Sequence, residues 1–232
     1  MTTGRDPLGT VLVTGGASGL GAAVVAAVDE AGGRPVCLDR VEADADVEHA
    51  VVDLADARAA ERAVRAVSEQ VGGLDAVVTC AGTDACGTLE DVPGEDWDRV
   101  VLVNLLGTAA VVRAALPDLL ARRGHVVTVA STLGLRVLSD ASAYSASKFG
   151  VVGFTRALAV ETQGRLKTTM LVPGGMHTHF FDGREEQYRP PPDAVLNPPA
   201  DVARTVLFAL QQPPGCELRE LVVTPSVEGS WP

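Results

Sequence analysis

The chain has 232 residues, a length that fits one or two domains, and its 47% hydrophobic and 21% charged residues are typical of a folded globular protein. The 30 acidic residues outnumber the 19 Lys and Arg, and the formal net charge of -11 disfavours binding to nucleic acid or to an anionic membrane surface. No apolar run approaches the roughly 18 residues of a membrane span, and Met1–Pro7 lacks the apolar core of a signal peptide. We therefore expect a cytoplasmic protein.

Short β-branched runs alternate with longer helical stretches, a pattern that predicts βαβ units and a parallel sheet. The predicted strands are Thr10–Thr14, Pro35–Asp39, Ala50–Val52, Ala76–Thr79, His125–Ala130, Thr168–Val172 and Glu220–Thr224. The predicted helices are Gly19–Ala31, Asp56–Val71, Trp97–Arg122 with an interruption or bend at Pro117, Ala143–Thr162 and Ala200–Gln211. No linker and no internal repeat divides the chain, so we predict one domain over residues 1–232.

The segment His177–Pro199 departs from this regularity, because glycine and proline runs break it. A loop of that length in a compact domain usually serves as a lid or a binding loop, and we call it the substrate loop. His177 and His179 within it lack partners at metal-ligand spacing, so we predict no metal site.

Two predicted helices, around Val100–Leu116 and Val151–Val160, are apolar on more than one face. Such helices must be covered on both sides. One side packs on the sheet, and the other meets either a second subunit, which we favour as a homodimer or homotetramer, or the proline-rich substrate loop.

A glycine-rich turn follows the first predicted strand and opens the first predicted helix. Glycines in such a turn permit a tight bend and close backbone approach to a pyrophosphate, whose charge the helix N-terminus favours. This arrangement predicts a dinucleotide-binding site that includes Gly15, Ser18, Gly19, Leu20 and Gly21.

The second predicted strand ends at Asp39, about 20 residues beyond the turn. An acidic side chain there can accept the ribose hydroxyls of NAD and would repel the 2′-phosphate of NADP. The neighbouring Arg40 would suit NADP, but the glycine turn itself holds no basic residue. The sequence favours NAD and leaves NADP open.

Tyr144 and Lys148 form a rare pair, because the chain contains only two Tyr and two Lys. Random placement would put a Lys four residues after a Tyr only about 0.02 times, and one helical turn places both side chains on one face. An ammonium beside the phenol, together with a cationic nicotinamide, would lower the phenol pKa from about 10 towards neutrality. The phenol could then act as a base. Ser131, at the end of a predicted strand, could donate a hydrogen bond to a substrate oxygen.

These motifs resemble the short-chain dehydrogenase/reductase family over essentially the whole chain. Thr14-Gly15-x-x-x-Gly19-x-Gly21 is similar to its cofactor turn, Tyr144-x-x-x-Lys148 to its catalytic pair, and Ser131 to its catalytic serine. The resemblance implies that Asn104 holds a water in a proton relay to Lys148. It further implies cofactor contacts from Asp53, Leu54, Cys80, Ala81, Gly82, Pro173, Gly174 and Thr178. One departure is Thr79-Cys80, where the family usually has Asn-Asn.

We therefore predict a doubly wound, Rossmann-type parallel sheet of seven strands in the order 3-2-1-4-5-6-7, with helices on both faces. The expected reaction is reversible hydride transfer between NAD(H) and a secondary alcohol or ketone, with Tyr144, Lys148, Ser131 and Asn104 as catalytic residues. One alternative is NADPH-dependent reduction of 3-oxoacyl thioesters. An alternative of another class is a non-catalytic NAD-binding sensor or scaffold.

Overall fold

The computed structural model describes residues 8–43 and 47–231. Met1–Pro7, on which the signal-peptide prediction rests, lies outside the described residues. The strands are β1 Thr10–Thr14, β2 Arg34–Asp39, β3 Glu48–Val51, β4 Ala76–Thr79, β5 His125–Val129, β6 Lys167–Pro173 and β7 Glu220–Val223. The helices are α1 Gly19–Glu30, α2 Ala57–Val71, α3 Gly94–Val101, α4 Thr108–Arg122, α5 Ser142–Glu161 and α6 Pro199–Leu210. Every predicted strand and helix is present within a few residues.

The strands form one parallel sheet in the order β3-β2-β1-β4-β5-β6-β7, which confirms the predicted doubly wound topology. After β3, at one edge of the sheet, the chain returns to its centre and forms β4 beside β1. The strand order therefore reverses between β1 and β4. Strands β1, β4 and β5 are buried along their whole length. Burial on both faces explains why they read as continuous apolar runs.

Two apolar layers enclose the sheet. On one face, α2 and α4 pack around Leu12, Val64 and Leu119. On the other face, α1 and α6 pack around Val13, Val24 and Val206. The sheet is thus fixed from both sides, and the carboxyl ends of its strands form a rigid edge.

The long helical region between β4 and β5 differs from the prediction at one point. α4 runs through Pro117, and the departure from α-helical winding lies earlier, in a π-helical segment at Leu102–Gly107. The prediction placed the irregularity at the proline because proline removes a helical hydrogen bond. A π-helical turn has no comparable composition signal, and such turns are frequent at functional sites.

The sequence has no uninterrupted apolar run of about 18 residues, but one helical region is long and apolar enough on average to resemble a membrane span. The helical stretch Gly94–Arg122 has a mean hydropathy of 1.8 over 18 residues, and 44% of that window is buried in the fold. Scattered polar residues divide this stretch, so it contains no long uninterrupted apolar run. Core helices of folded domains pass the same test, so this finding by itself is weak evidence for a membrane span.

Two helices were predicted to be apolar on more than one face, around Val100–Leu116 and Val151–Val160. In the structure, the second apolar face of this pair is exposed to solvent. Leu102, Leu106 and Phe149 are 37%, 46% and 44% exposed. The alternative in which the substrate loop covers this face was therefore wrong.

Candidate active site

A crevice of about 1650 Å³ opens at the carboxyl edge of the sheet, above the ends of the central strands. In doubly wound sheets, ligands bind at this edge, where the strand order reverses. The site residues predicted from the sequence converge here from separate parts of the chain. The crevice is lined by Gly15, Ser18, Gly19, Leu20, Gly21, Asp39, Asp53, Leu54, Cys80, Ala81, Gly82, Ser131, Tyr144, Lys148, Pro173, Gly174 and Thr178.

The glycine turn has a backbone that larger residues could not adopt. Gly15 has φ +69°, and a Cβ atom there would lie 2.8 Å from the Ala81 backbone. A Cβ atom at Gly21 would collide with the Gly15 carbonyl oxygen. The turn is therefore a tight cradle next to the start of α1, and it fits a pyrophosphate group held by backbone N–H groups. Ser18 begins α1 without a side-chain cap, so its hydroxyl does not occupy the first-turn N–H groups.

Asp39 closes one side of this cradle. Its Oδ2 accepts a hydrogen bond from Ala17 N at 3.0 Å, and its Oδ1 accepts one from Arg40 N at 2.6 Å. These bonds fix the carboxylate at the end of β2, where it lines the crevice. An ionised carboxylate retains further acceptor capacity, so Asp39 fits a diol ligand such as a ribose.

The predicted adenine side of the crevice contains Asp53. Its Oδ1 accepts from Ala55 N, and its Oδ2 pairs with Arg99 at 2.8 Å. These two bonds, the one to Ala55 first, lower the pKa of Asp53. The carboxylate is therefore ionised at neutral pH and partly occupied by Arg99.

Cys80 and Ala81 continue β4 into the crevice, and Cys80 stands where the family usually has an asparagine. Cys80 N donates to Thr14 O, and Ala81 N donates to Thr14 Oγ1 at 3.1 Å. Thr14 thus joins the ends of β1 and β4 despite the departure from the family motif. Burial raises the pKa of the Cys80 thiol to about 12.

Tyr144 and Lys148 lie in the first two turns of α5 and face the crevice together. Lys148 Nζ is 5.6 Å from the centre of the Tyr144 ring and donates to Val129 O at 2.9 Å. Ser131 follows β5, and its Oγ accepts from Leu133 N at 3.2 Å. The structure therefore brings the phenol, the ammonium and the serine hydroxyl to one wall of the crevice.

The electrostatics of this group differ from the expectation. Burial raises the pKa of Tyr144 to about 12, while the Ser131 side chain and the Arg184 charge oppose that shift. Burial also lowers the pKa of Lys148 to about 8. Burial therefore dominates at the phenol, and the Lys148 ammonium is not among the groups that shift its pKa. A cationic ligand beside the ring has the sign needed to reverse the balance.

Asn104 lies behind this wall, in the π-helical segment. Its Nδ2 donates to Thr83 O at 2.9 Å and to Ser147 Oγ at 3.0 Å, and its Oδ1 accepts from Thr83 N at 2.8 Å. Both amide hydrogens are thus used. A Cβ atom at Gly82 would lie 3.5 Å from Asn104 Oδ1 and 3.8 Å from Lys148 Nζ, so these two groups face the same point. A water held there could join them, as the predicted relay requires.

Several residues that line or support the crevice were missed by sequence analysis. Asp84 and Arg184 form an ion pair at 3.0 Å, and Ser147 links Asn104 to the Tyr144 carbonyl oxygen. Near the C-terminus, Glu228 Oε2 accepts from Gly175 N at 2.9 Å. None of these contacts follows a periodic pattern along the chain.

The two histidines of the substrate loop form no metal cluster. His179 Nδ1 lies 2.8 Å from Asp182 Oδ2 in an exposed pair. Within the described ranges, no group of three or more His, Cys, Asp or Glu side chains could hold a metal ion. The four cysteines are all free thiols.

Comparisons with known proteins agree with this architecture. The family pattern described as short chain dehydrogenase matches residues 9–189. A glycine betaine reductase of Emericella nidulans is 32% identical over 94% of this chain, although the chain spans only 19% of that protein's length. An uncharacterized oxidoreductase of Staphylococcus aureus is 30% identical, with 92% of this chain and 96% of that protein covered.

Two solved structures share the fold. The ligand-free aldohexose dehydrogenase of Thermoplasma acidophilum has a TM-score of 0.86 at 22% identity and covers 95% of each chain. An alcohol dehydrogenase of Thermococcus sibiricus, complexed with 5-hydroxy-NADP, has a TM-score of 0.83 at 23% identity, with 92% of this chain and 95% of that chain covered.

Proposed function

Because the chain belongs to the short-chain dehydrogenase family of oxidoreductases, we propose that it interconverts a secondary alcohol and a ketone by hydride transfer with NAD(H). The observation that carries the proposal is the shared position of Tyr144, Lys148 and Ser131 in the crevice that the glycine turn also lines. A bound nicotinamide supplies or accepts the hydride. The side chains of this protein then manage the substrate oxygen and its proton.

Tyr144 takes the hydroxyl proton when the alcohol is oxidised and returns it when the ketone is reduced. Ser131 orients the substrate oxygen and stabilises the charge that develops on it, since hydrogen-bond donors aimed at a developing oxyanion are effective in a desolvated site. Lys148 holds the cofactor ribose and passes the proton onward, consistent with a pKa of about 8. Asn104 supports that relay through the position it shares with Lys148.

We propose NAD as the preferred cofactor because Asp39 presents a fixed carboxylate where a 2′-phosphate would approach. Dissociation constants for NAD and NADP, measured with wild-type protein and Asp39→Ala, test this preference. NAD should bind the wild type more tightly, and the variant should lose that preference. Equal or tighter NADP binding by the wild type would favour the alternative of an NADPH-dependent thioester reductase.

The proposal includes a homo-oligomer in the cytoplasm. The open apolar face with Leu102, Leu106 and Phe149 supports self-association, and the free thiols suit a reducing compartment. Sedimentation of the wild type against Leu106→Glu tests the assembly. A monomeric wild type would contradict it.

The activity itself is tested with NAD and a panel of secondary alcohols, followed by absorbance growth at 340 nm. The panel should include a trimethylammonium alcohol, because one relative is named a glycine betaine reductase. We expect Tyr144→Phe and Lys148→Met to lose the activity. The other lysine provides a matched control: Lys167→Met should keep it. Cofactor binding without turnover of any alcohol or ketone would favour a sensor or scaffold.

A further inference from the structure

Arg184 occupies an unusual position for a charged residue in an irregular loop. Its side chain is only 15% exposed, and its Nη2 lies 3.0 Å from Oδ2 of Asp84, whose side chain is 8% exposed. The guanidinium carbon lies 4.6 Å from the ring centre of Phe180 and 4.8 Å from that of Phe181. Arg184 is therefore held by charge on one side and by two aromatic rings on the other.

The pair joins two separate walls of the crevice. Asp84 belongs to the loop that follows β4, and Arg184 belongs to the substrate loop that follows β6. Phe180 in turn lies against the catalytic wall, with its ring centre 5.6 Å from that of Tyr144. A continuous line of contacts thus runs from Asp84 through Arg184 and Phe180 to Tyr144.

We propose that Arg184 is a positioning residue for the reaction: its ion pair with Asp84 fastens the substrate loop across the crevice and sets Phe180 against Tyr144 as a wall of the substrate pocket. The inference rests on the proposed function at one point, because it takes Tyr144 as the acid and base of the reaction. The fastening itself is a property of the fold that is measurable without substrate.

The charges argue that the two residues act as a unit. Removing one partner of a buried ion pair leaves the other uncompensated, whereas removing both leaves no buried charge. If the ion pair fastens the substrate loop, loss of either partner should open the loop. Loss of both partners should open the loop no further than loss of one.

Both members of the Asp84–Arg184 pair also affect the Tyr144 phenol. Lys148 on the same helix, Asp84 after β4 and Arg184 in the substrate loop are the charged groups that face the phenol. Asp84 raises the pKa of Tyr144 and Arg184 lowers it. The nearby thiols of Cys80 and Cys86 are neutral, since burial raises their pKa to about 12 and about 11.

Loop fastening is measured first, by chymotrypsin cleavage after Phe180 and Phe181 in the full-length, cofactor-free protein, with the sites assigned by mass spectrometry. Cleavage of a loop that opens rapidly reports the population of its open form. We expect Asp84→Asn and Arg184→Gln each to raise the cleavage rate about tenfold, and the double variant to raise it no further than either single one.

A second ion pair on the protein provides matched controls. Arg156 Nε lies 2.8 Å from Glu220 Oε1. Arg156 is three turns beyond Tyr144 on α5, so Arg156→Gln and Glu220→Gln should leave cleavage after Phe180 and Phe181 at the wild-type rate. A wild-type cleavage rate in the double variant of the Asp84–Arg184 pair would overturn the proposal. A cleavage rate in the double variant that combines the increases of the two single variants would overturn it as well.

The pH profile of alcohol oxidation separates positioning beside Tyr144 from a purely structural role. Loop opening is common to both single variants, but Asp84, which raises the pKa of Tyr144, remains in only one of them, so the midpoint of the rise in kcat/KM with pH should be higher in Arg184→Gln than in Asp84→Asn. Equal midpoints in the two variants would overturn the contact with Tyr144. Should Tyr144→Phe keep full activity, the proposed function fails, and the cleavage rates still decide whether the ion pair fastens the loop.

Discussion

Asn104 Nδ2 donates a 3.0 Å hydrogen bond to Ser147 Oγ, which joins the π-helical segment to the helix that carries Tyr144 and Lys148. The Ser147 hydroxyl donates in turn to the carbonyl oxygen of Tyr144 at 2.7 Å. Both side chains are buried. A single hydroxyl therefore fixes Asn104 relative to the first turn of α5.

We expect Ser147→Ala to destabilise the fold by about 1–3 kcal/mol, because the buried Nδ2 donor of Asn104 would lose a partner. We expect kcat to fall as well, because Asn104 would lose a contact that holds it near Lys148. Ser145→Ala is the matched control, since the buried Ser145 Oγ has no hydrogen-bond partner in the structure. Thermal unfolding and steady-state kinetics of both variants check this, and equal stabilities would contradict it.

Gly82→Ala tests the relay position between Asn104 Oδ1 and Lys148 Nζ. The added methyl group fits at 3.5 Å and 3.8 Å from these atoms without a clash, but it leaves no room there for a water. We expect kcat to fall about tenfold, or about 1.4 kcal/mol of activation free energy, with the melting temperature unchanged. Gly94→Ala, whose methyl group would meet nothing within 4 Å, is the control. An unchanged kcat would exclude a water relay at this point.

His125 gives the fold a predictable pH dependence. It is buried at the start of β5, and burial followed by the Lys167 charge lowers its pKa to about 3. The unfolded chain, with a histidine pKa of about 6.5, binds more protons, so stability is retained above pH 6.5 and is lost as pH falls towards 3.

The slope for this one group approaches about 1.4 kcal/mol per pH unit between those limits. Urea unfolding at pH 7.5 and pH 4.5 should show about 2–3 kcal/mol less stability at the lower pH from His125 alone. His125→Gln should reduce that difference by the same amount. Identical pH dependence in the variant would show that other groups cause the loss.

Glu228 joins the segment near the C-terminus to the crevice, because its Oε2 accepts from Gly175 N. Its Oε1 accepts from the Ser230 hydroxyl within the same segment. Ser230 also hydrogen-bonds Thr132, the residue after Ser131, at 2.7 Å. We expect Glu228→Ala to raise KM for the alcohol several-fold by releasing this segment, with a small change in kcat. Glu217→Ala, at the opposite end of β6, where Glu217 accepts from Thr168 N, should have no effect on KM. A Glu228→Ala enzyme with wild-type KM would contradict the role.

Local features of the sequence predicted most of the fold. The β-branched runs of β1, β4 and β5 are buried on both faces, and the spacing of Tyr144 and Lys148 needs only one helical turn to bring them together. These features depend on neighbours along the chain.

The missed features depend on contacts distant in sequence. Asp84 and Arg184 meet only because two irregular loops fold towards each other, and Ser230 reaches Thr132 across the whole C-terminal half. No periodicity marks such contacts. The phenol pKa was misjudged for a related reason, since the desolvation of Tyr144 arises from the assembled crevice and not from its helix.

The central claim is that Tyr144 becomes a usable base only beside the oxidised cofactor. The most direct measurement is the tyrosinate absorbance near 295 nm, titrated with pH in wild type and in Tyr144→Phe, with and without saturating NAD. The difference between the two proteins isolates Tyr144. Without cofactor it should show no titration below pH 11, in line with a pKa of about 12. With NAD it should titrate several pH units lower, and the same titration in both conditions would contradict the account.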